Sequence, residues 1–371
     1  MVAAIIMTTL VAPRVFMTAT DLRLQTLTRW VGEELGHRVE RISVASADAS
    51  FRRYFRVHLA GGATSIVMDA PPAHEDIRPY LRVSGLLKGL GVHVPAVSAV
   101  DEARGFVLLE DLGSEPFLSA LQDRSRADGL YGEALSALVA IQVRGSSAMA
   151  ELPPYDAATL QREIDLMPQW FAGRHLGIGL TAEDHEELAA ASRVLREAAL
   201  EQPVVFVHRD YHSRNLMVLP QAGPGIIDFQ DALAGPVGYD LVSLLKDCYI
   251  RWPRARVEAW LSGHRAALCA AGAQRLAGHS EREFLRWFDL IGVQRHLKVL
   301  GIFARLCWRD GKPGYLDDLP LTLDYVLEAC ARYPELARLG AWLERQALPR
   351  LAAANARARS AAAARAAGAD G

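Results

Sequence analysis

The sequence predicts an α+β protein in two lobes, a small β-rich N-lobe followed by a larger, mostly helical C-lobe. Three observations carry that expectation. Between Arg41 and Leu109, short apolar runs alternate with polar turns, as in RISVASADASFRRYFRVHL, TSIVMD and GFVLL, the pattern of strands. From Pro116 onward apolar residues recur at helical spacing, as at Leu130, Ala134, Leu138 and Ile141. One strand-like stretch, Val204 to Asp247, interrupts those helices, and it holds the chain's densest group of chemically useful side chains.

A length of 371 residues is enough for two such lobes and a sizeable core. Hydrophobic content of 51% against 23% charged is a soluble globular balance. The formal net charge of -2 gives no electrostatic case for nucleic acid. Cys248, Cys269, Cys307 and Cys330 are scattered, without metal-ligand spacing. Each falls in a helical pattern and reads as a buried, reduced thiol, which fits a cytoplasmic protein. The N-terminal run MVAAIIMTTLVAPRVFMTATD has no basic segment before its apolar part and is broken by Thr8, Thr9 and Pro13. It is too short to span a bilayer and a poor signal peptide. Residues 1–20 are therefore expected to be a disordered extension, with Met17 as an alternative start.

The N-lobe is expected over 21–112. Thr20 or Asp21 can cap a first helix whose apolar positions are Leu22, Leu24, Leu27, Trp30, Val31 and Leu35. Arg41 to Leu59 reads as strand, tight polar turn, strand. Thr64 to Asp69 is the next strand, and a helix runs from about Asp76 to Gly89. Gly91 to Pro95 closes that helix, and Gly105 to Leu109 is a further strand ending on Glu110-Asp111-Leu112-Gly113. The C-lobe is expected over 113–350. Thr159 to Phe171 reads as a helix, and Thr181 with Asp184 resembles a capping box for a helix to Leu200. Further helices are expected near Arg254–Ala271, Glu281–Arg309, Asp318–Tyr333 and Glu335–Ala347, with Gly311 ending the long one. Residues 351–371 are an Ala/Arg low-complexity tail.

Val204 to Val207 has the length of a buried strand, and His208-Arg209-Asp210 follows, with Asn215 five residues after the aspartate. Leu216 to Leu219 and Gly225 to Ile227 flank a Pro/Gly turn, and the second ends on Asp228-Phe229. Phosphoryl transfer needs a carboxylate beside the attacking hydroxyl and oxygen ligands for magnesium beside the phosphates. The kinase pattern H-R-D-x-x-x-x-N followed by D-F supplies these. Asp210 sits where the base would be, and Asn215 and Asp228 where the metal ligands would be. An Asx-rich turn between strands would not explain three acceptors at that spacing. A protein kinase carries a glycine two residues after the second aspartate and then an activation loop. Here Gln230 holds that place, and from Tyr239 the chain reads as an amphipathic helix with Leu241, Leu244, Leu245 and Cys248. That leaves no room for a protein-substrate platform.

The kinase pattern also assigns the N-lobe. The hairpin tip Ser46–Phe51 has small residues that let backbone amides approach phosphates, with Ser50 and Phe51 as candidate nucleotide contacts. Arg52 and Arg53 are candidates for the phosphate grip, and with Arg56 they can equally face water on an edge strand. The strand Thr64–Asp69 lacks the phosphate-gripping lysine, and Met68 and Asp69 stand there instead. Glu110 to Leu112 would be the hinge whose backbone meets the adenine.

The segment IIDFQDALAGPVGYDLVSLL resembles the aminoglycoside/choline kinase-like family of small-molecule phosphotransferases, and the whole is expected to be a protein-kinase-like fold. In that resemblance Asp240 is the structural aspartate that braces the catalytic loop. Ser50 to Arg56, Met68-Asp69-Ala70-Pro71-Pro72, Asp228 to Ala232, Tyr239 to Leu244 and Gln294 to Gly301 together look like the anomeric N-acetylmuramate/N-acetylglucosamine kinases of bacterial cell-wall recycling. The resemblance covers roughly Leu22 to Ala347. It implies Mg²⁺, ATP as co-substrate, an amino sugar as acceptor and a sugar 1-phosphate as product. The missing lysine fits this branch, whose Met-Asp-Ala-Pro-Pro strand is part of the resemblance. On the substrate side it implies His212, Arg214, Asp231, Arg295, Lys298 and Arg305. Arg295, Lys298, Arg305 and Arg309 share one face of the long helix, either a solvated basic face or a cationic pocket wall for the lactyl carboxylate of muramate. No nucleic acid, membrane or protein substrate is expected. Two alternatives stay open at this point. One is a kinase of an aminoglycoside or amino alcohol, against which the C-terminal half has no long acidic run. The other is a non-catalytic pseudokinase, suggested by the missing lysine and opposed by the intact Asp210, Asn215 and Asp228.

Overall fold

Asp21 accepts the amide of Leu24 at 3.0 Å and so starts helix α1 (Leu22–Arg29). The structure is a computed structural model that describes residues 21–47, 51–221, 223–273 and 279–369. The expectation for residues 1–20 therefore lies outside the described residues, as does the one for Ser50. The chain packs as two units, the first made of the residues up to Asp76 with Val97–Asp111, the second of Ile77–Ala96 with everything from Leu112 onward.

In the first unit, β1 (Val39–Ala47), β2 (Arg53–Leu59), β3 (Thr64–Asp69), β4 (Val97–Asp101) and β5 (Phe106–Glu110) form one antiparallel sheet in the order β1-β2-β3-β5-β4. Alternation buries Phe55, Val57, Val67, Phe106 and Leu108 against Leu24, Leu27, Trp30 and Val31. Each such side chain contributes about 1.5–3 kcal/mol of burial. Strand β2 is interior, which corrects the edge-strand reading of its arginines. Gly105 has φ +72°, and a Cβ there would overlap the Ala70 carbonyl, so only glycine lets β5 begin so close to the end of β3.

The second unit begins with α2 (Arg78–Gly89). Its Tyr80 ring packs 4.8 Å from Phe229. Then come α3 (Phe117–Ala120), α4 (Ala127–Arg144), α5 (Ala157–Ile164), a wide π-helical stretch Met167–His175, and α6 (Ala182–Leu200). Thr181 and Asp184 form the expected capping box. The single helix expected over Thr159–Phe171 is split. Pro168 lacks an amide proton there, and a Cβ on Gly301 would overlap the backbone of Leu166, so another helix presses on the break. That helix is α9 (Glu281–Trp308), preceded by α7 (Tyr239–Leu245) and α8 (Arg254–Ala270). It is buried along most of its length, with Leu290, Val293, Leu297, Leu300 and Phe303 inside the largest apolar cluster. Helices α10 (Leu319–Arg332), α11 (Ala337–Trp342) and α12 (Leu348–Ala369) complete the unit. The Ala/Arg tail is helix α12, and its Leu351, Ala354 and Ala358 are buried while Asn355 donates to the Leu316 carbonyl at 3.1 Å.

Helix α7 is not amphipathic as expected: all seven residues are buried. Cys248, Cys307 and Cys330 are buried free thiols, whereas Cys269 is only half-buried, a correction to the uniform reading. Among the described residues no helix is long and apolar enough to cross a membrane.

Candidate active site

Strand β6 (Val204–Val207) feeds the catalytic stretch. It pairs with β9 (Leu233–Pro236), a strand the sequence hid behind Gly235-Pro236. Together they fix where His208 enters and where α7 leaves. The buried Asp240 carboxylate of α7 then accepts the amides of His208 at 2.7 Å and Arg209 at 2.9 Å. This is the bracing expected of Asp240. Burial pushes that carboxyl up to about 7, against the pull of the two amides.

Arg209 has φ +83°, a left-handed backbone rare for a side-chain-bearing residue. Several contacts impose it. Its guanidinium pairs with Glu163 of α5, and its carbonyl accepts Arg295 Nη1 at 2.8 Å. The turn presents Asp210 on the surface of the unit, its side chain 36% exposed and its Oδ1 3.6 Å from Arg295 Nη2. Loss of water works to raise the Asp210 pKa, but the charges of Arg295 and Lys298 outweigh it and hold the carboxyl far below the usual range.

The loop then closes on itself. The His212 amide donates to the Asp210 carbonyl at 3.0 Å, and the Asn215 amide to the His212 carbonyl at 2.9 Å. Asn215 Nδ2 donates to the Asp210 carbonyl at 3.0 Å and to Asp228 Oδ2 at 3.3 Å. The short hairpin β7 (Leu216–Met217) and β8 (Gly225–Ile226) brings Asp228 back beside Asn215, and the Ile227 amide donates to the Asn215 carbonyl at 3.0 Å. Asp228 has φ +63° and accepts Gln230 Nε2 at 2.9 Å. So Asp210, Asn215 and Asp228 converge as expected. The last two offer an amide and a carboxylate oxygen, hard donors that suit Mg²⁺, which takes few protein ligands beside phosphate and water. Among the described residues no cluster of three or more His, Cys, Asp or Glu could hold a metal alone. The donor set fits a magnesium ion shared with phosphates.

The long-helix cations part company. Arg295 and Lys298 are buried. Arg295 is bound to the Arg209 carbonyl and, at 3.2 Å, to the Tyr239 hydroxyl. Lys298 Nζ meets the Tyr239 hydroxyl and Glu163 Oε1, each at 3.0 Å. Their burial corrects the reading of a solvated basic face: Arg295 lies beneath the catalytic loop and Lys298 beside it on Glu163 and Tyr239. Arg305 is about 15 Å further along the helix axis at 1.5 Å per residue, and burial lowers its pKa. Arg309 is exposed and pairs with Asp310. Asp231 is exposed, within 3.3 Å of Gln230 Nε2, and His212 is half-buried with its ring against Tyr249.

In the first unit, exposed Phe51 stacks on His74 at 4.7 Å and donates its amide to Glu75 at 3.1 Å. Arg53 is held by Asp21 and by Asp69, which also binds Arg23. The strand position of the missing lysine is thus a buried carboxylate neutralised by two arginines. Arg53 is engaged by both carboxylates, Asp21 and Asp69. Arg56 is paired with Asp111 at 2.6 Å. Arg52 and Glu110 are half-buried, and Leu112, which opens the main run of the second unit, is buried.

Glu163 and Asp247 escaped the sequence reading. Asp247 accepts the Ser213 amide at 3.0 Å and the Tyr249 amide at 3.1 Å, pinning the outer loop. A lone Glu on a helix and an Asp at a helix end give no local signal of such roles.

A kinase-type loop, a hard-oxygen pair and a hairpin returning the second aspartate define a phosphotransferase of the small-molecule kinase class. The chain belongs to the phosphotransferase enzyme family, whose family model matches residues 41–285. It is 46% identical over 335 residues to the N-acetylmuramate/N-acetylglucosamine kinase of Pseudomonas putida, covering 87% of this chain and 96% of that one. It is 51% identical over 296 residues to the protein of the same name from Pseudomonas aeruginosa, covering 80% and 86%. In fold it is similar to an ethanolamine kinase from Plasmodium vivax, with a TM-score of 0.59 at 10% identity over 86% of this chain and 91% of that one.

Proposed function

We propose that this enzyme transfers the terminal phosphoryl group of ATP to the anomeric hydroxyl of N-acetylmuramate and of N-acetylglucosamine, in the cytoplasm, for peptidoglycan recycling. The observation that carries the substrate is kinship: 46% and 51% identity to proteins named for those two sugars, over most of each chain. The geometry supports the chemistry. Asp210, kept ionised by Arg295 and Lys298, accepts a hydrogen bond from the sugar hydroxyl and aims it. A carboxylate of such low basicity takes the proton only late, as the O–P bond forms. That suits a loose transition state, in which positioning supplies most of the acceleration. The anomeric hydroxyl is the most acidic of the sugar's, because the ring oxygen on the same carbon withdraws electrons, so it asks least of this base. Asn215 and Asp228 would hold Mg²⁺, which when bound offsets the charge of the transferring phosphate. Phe51, Arg52, Glu110 and Leu112 are assigned to the nucleotide, to be tested one by one through the KM for ATP.

The test is pure enzyme with magnesium and ATP against a panel of amino sugars, aminoglycosides and amino alcohols, following ADP. Phosphorus and carbon NMR of the product should show coupling from phosphorus to C1. Phosphate at C6, or normal turnover of a 1-deoxy analogue, would refute the reading. Asp210→Asn should lower kcat by about 10² or more with nucleotide affinity kept. Asp228→Ala should weaken magnesium-ATP binding in a calorimeter as well.

A further inference from the structure

Muramate differs from glucosamine by a lactyl carboxylate, and the helix cations that would meet it are committed elsewhere. Arg295 binds the Arg209 carbonyl and Tyr239, and Lys298 binds Glu163 and Tyr239. Arg209 is tied to Glu163. Arg214 differs from all three. It is exposed, and its charge acts on the nearby Asp318 carboxyl, but among the described residues no hydrogen bond or ion pair holds its guanidinium. Its guanidinium carbon lies 3.5 Å from the centroid of the Tyr249 ring and 5.8 Å from that of Tyr315. Stacking on tyrosine faces uses the flat side of a guanidinium and leaves its in-plane N–H fork for a carboxylate.

The platform is rigid. Asp247 accepts the amides of both Ser213 and Tyr249, so one carboxylate fixes the residue before Arg214 and the ring beneath it. Tyr249 also packs against the edge of His212 and against Phe303. The site lies close to the chemistry. Arg214 is four residues after Asp210, in a loop shortened by the His212-to-Asp210 and Asn215-to-His212 hydrogen bonds. Four extended residues reach about 14 Å, and this loop is far from extended. A sugar with its C1 hydroxyl at Asp210 can therefore bring a ring substituent to the Arg214 fork.

We infer that Arg214 reads the carboxylate: it pairs with the lactyl carboxylate of N-acetylmuramate and finds no such partner on N-acetylglucosamine. This rests on the proposed sugar kinase activity. The experiment measures kcat/KM for both sugars, and for the methyl ester of N-acetylmuramate, with the wild-type enzyme, Arg214→Gln and Arg214→Lys. Loss of a charge-assisted bidentate pair should lower kcat/KM about 10- to 100-fold more for N-acetylmuramate than for N-acetylglucosamine in Arg214→Gln. Arg214→Lys should lie between, since it keeps the charge without the fork. The neutral ester should respond to Arg214→Gln as N-acetylglucosamine does. Equal losses on both sugars would mean that Arg214 only supports the loop, and a muramate-to-glucosamine ratio unchanged by Arg214→Gln would place the carboxylate elsewhere. Either result overturns the inference while leaving the sugar kinase reading intact. A wild-type enzyme that phosphorylates neither sugar overturns both.

Discussion

Glu163 gathers four donors on one buried carboxylate: the Tyr155 hydroxyl, Arg209, Lys298 at 3.0 Å and Gln294 at 3.2 Å. Burial works to raise its pKa, but Lys298 and Arg209 bring it to about 2. It is the counter-charge that lets Arg209, Lys298 and Arg295 crowd beneath Asp210. Glu163→Gln keeps the shape and leaves those cations underbalanced. Breaking a buried ion pair from one side costs about 3–5 kcal/mol, so urea unfolding should show a loss of that order. With the loop less well held, kcat should fall about tenfold while the KM for ATP holds. A loss under about 1 kcal/mol with normal kcat would show that Glu163 is dispensable. Arg209 itself separates backbone from side chain. Its left-handed φ costs an L-residue about 1–2 kcal/mol, which glycine avoids. Both Arg209→Ala and Arg209→Gly lose the Glu163 pair, yet the glycine variant should be the more stable by about 1 kcal/mol in the same unfolding assay. Equal stabilities would mean that the turn relaxes when the guanidinium goes.

Helix α9 shows how one element serves both core and site. Its apolar residues fill the largest cluster, while from the same helix Arg295 bonds the Arg209 carbonyl of the catalytic loop and Lys298 pairs with Glu163. Gly301 sets how closely it approaches Leu166. In Gly301→Ala the new methyl meets backbone, which gives less readily than a flexible side-chain end, so the helix must shift. Overpacking of this kind costs about 1–3 kcal/mol, and a shifted α9 should take Arg295 off the loop. The variant should lose that stability and also kcat; normal values for both would mean that the contact yields cheaply. The ends of α9 were legible in the sequence, because caps and periodicity are local: Glu281 was expected and found, and Trp308 lies one residue from the expected end. Likewise the spacing from His208 to Asn215 and on to Asp228 identified the loop, since its hydrogen bonds run between near neighbours. What stayed hidden depends on distant packing. Arg295, Lys298, Arg305 and Arg309 do share a face in sequence, but nothing local says that the first two are buried against Tyr239. Glu163 is a helix glutamate like any other until Lys298, 135 residues later, lands on it. Strand β9 exists because β6 pairs with it, against the turn-like look of Gly235-Pro236.

For the whole molecule, buried titratable groups set the response to acid. Burial lowers His208 to about 4, and His264 and His296 to about 3. Between pH 6.5 and about 4 the unfolded chain protonates these imidazoles and the native protein does not, so each subtracts stability as pH falls. Asp240 and Asp318 act in the opposite sense. Burial raises them to about 7 and about 6, so over the same range the native state holds protons that the unfolded chain releases. Burial lowers His175 and His212 as well, so groups of both senses titrate together and a bare pH profile would blur the contributions. One histidine can be isolated. His296 bonds the Lys246 carbonyl through Nε2 at 2.9 Å and stacks on Tyr325 at 4.9 Å. A glutamine there can donate to the same carbonyl and has no proton to take up. His296→Gln should be less stable than wild type at pH 7.5, because the stacked ring is lost. As pH drops to 5 the wild type alone loses the His296 contribution, about 1.4 kcal/mol per unit below 6.5, so the gap should narrow by about 2 kcal/mol. Urea unfolding of both proteins at the two pH values measures this. A gap that stays constant would mean that His296 takes up its proton in the folded protein as readily as in the unfolded chain.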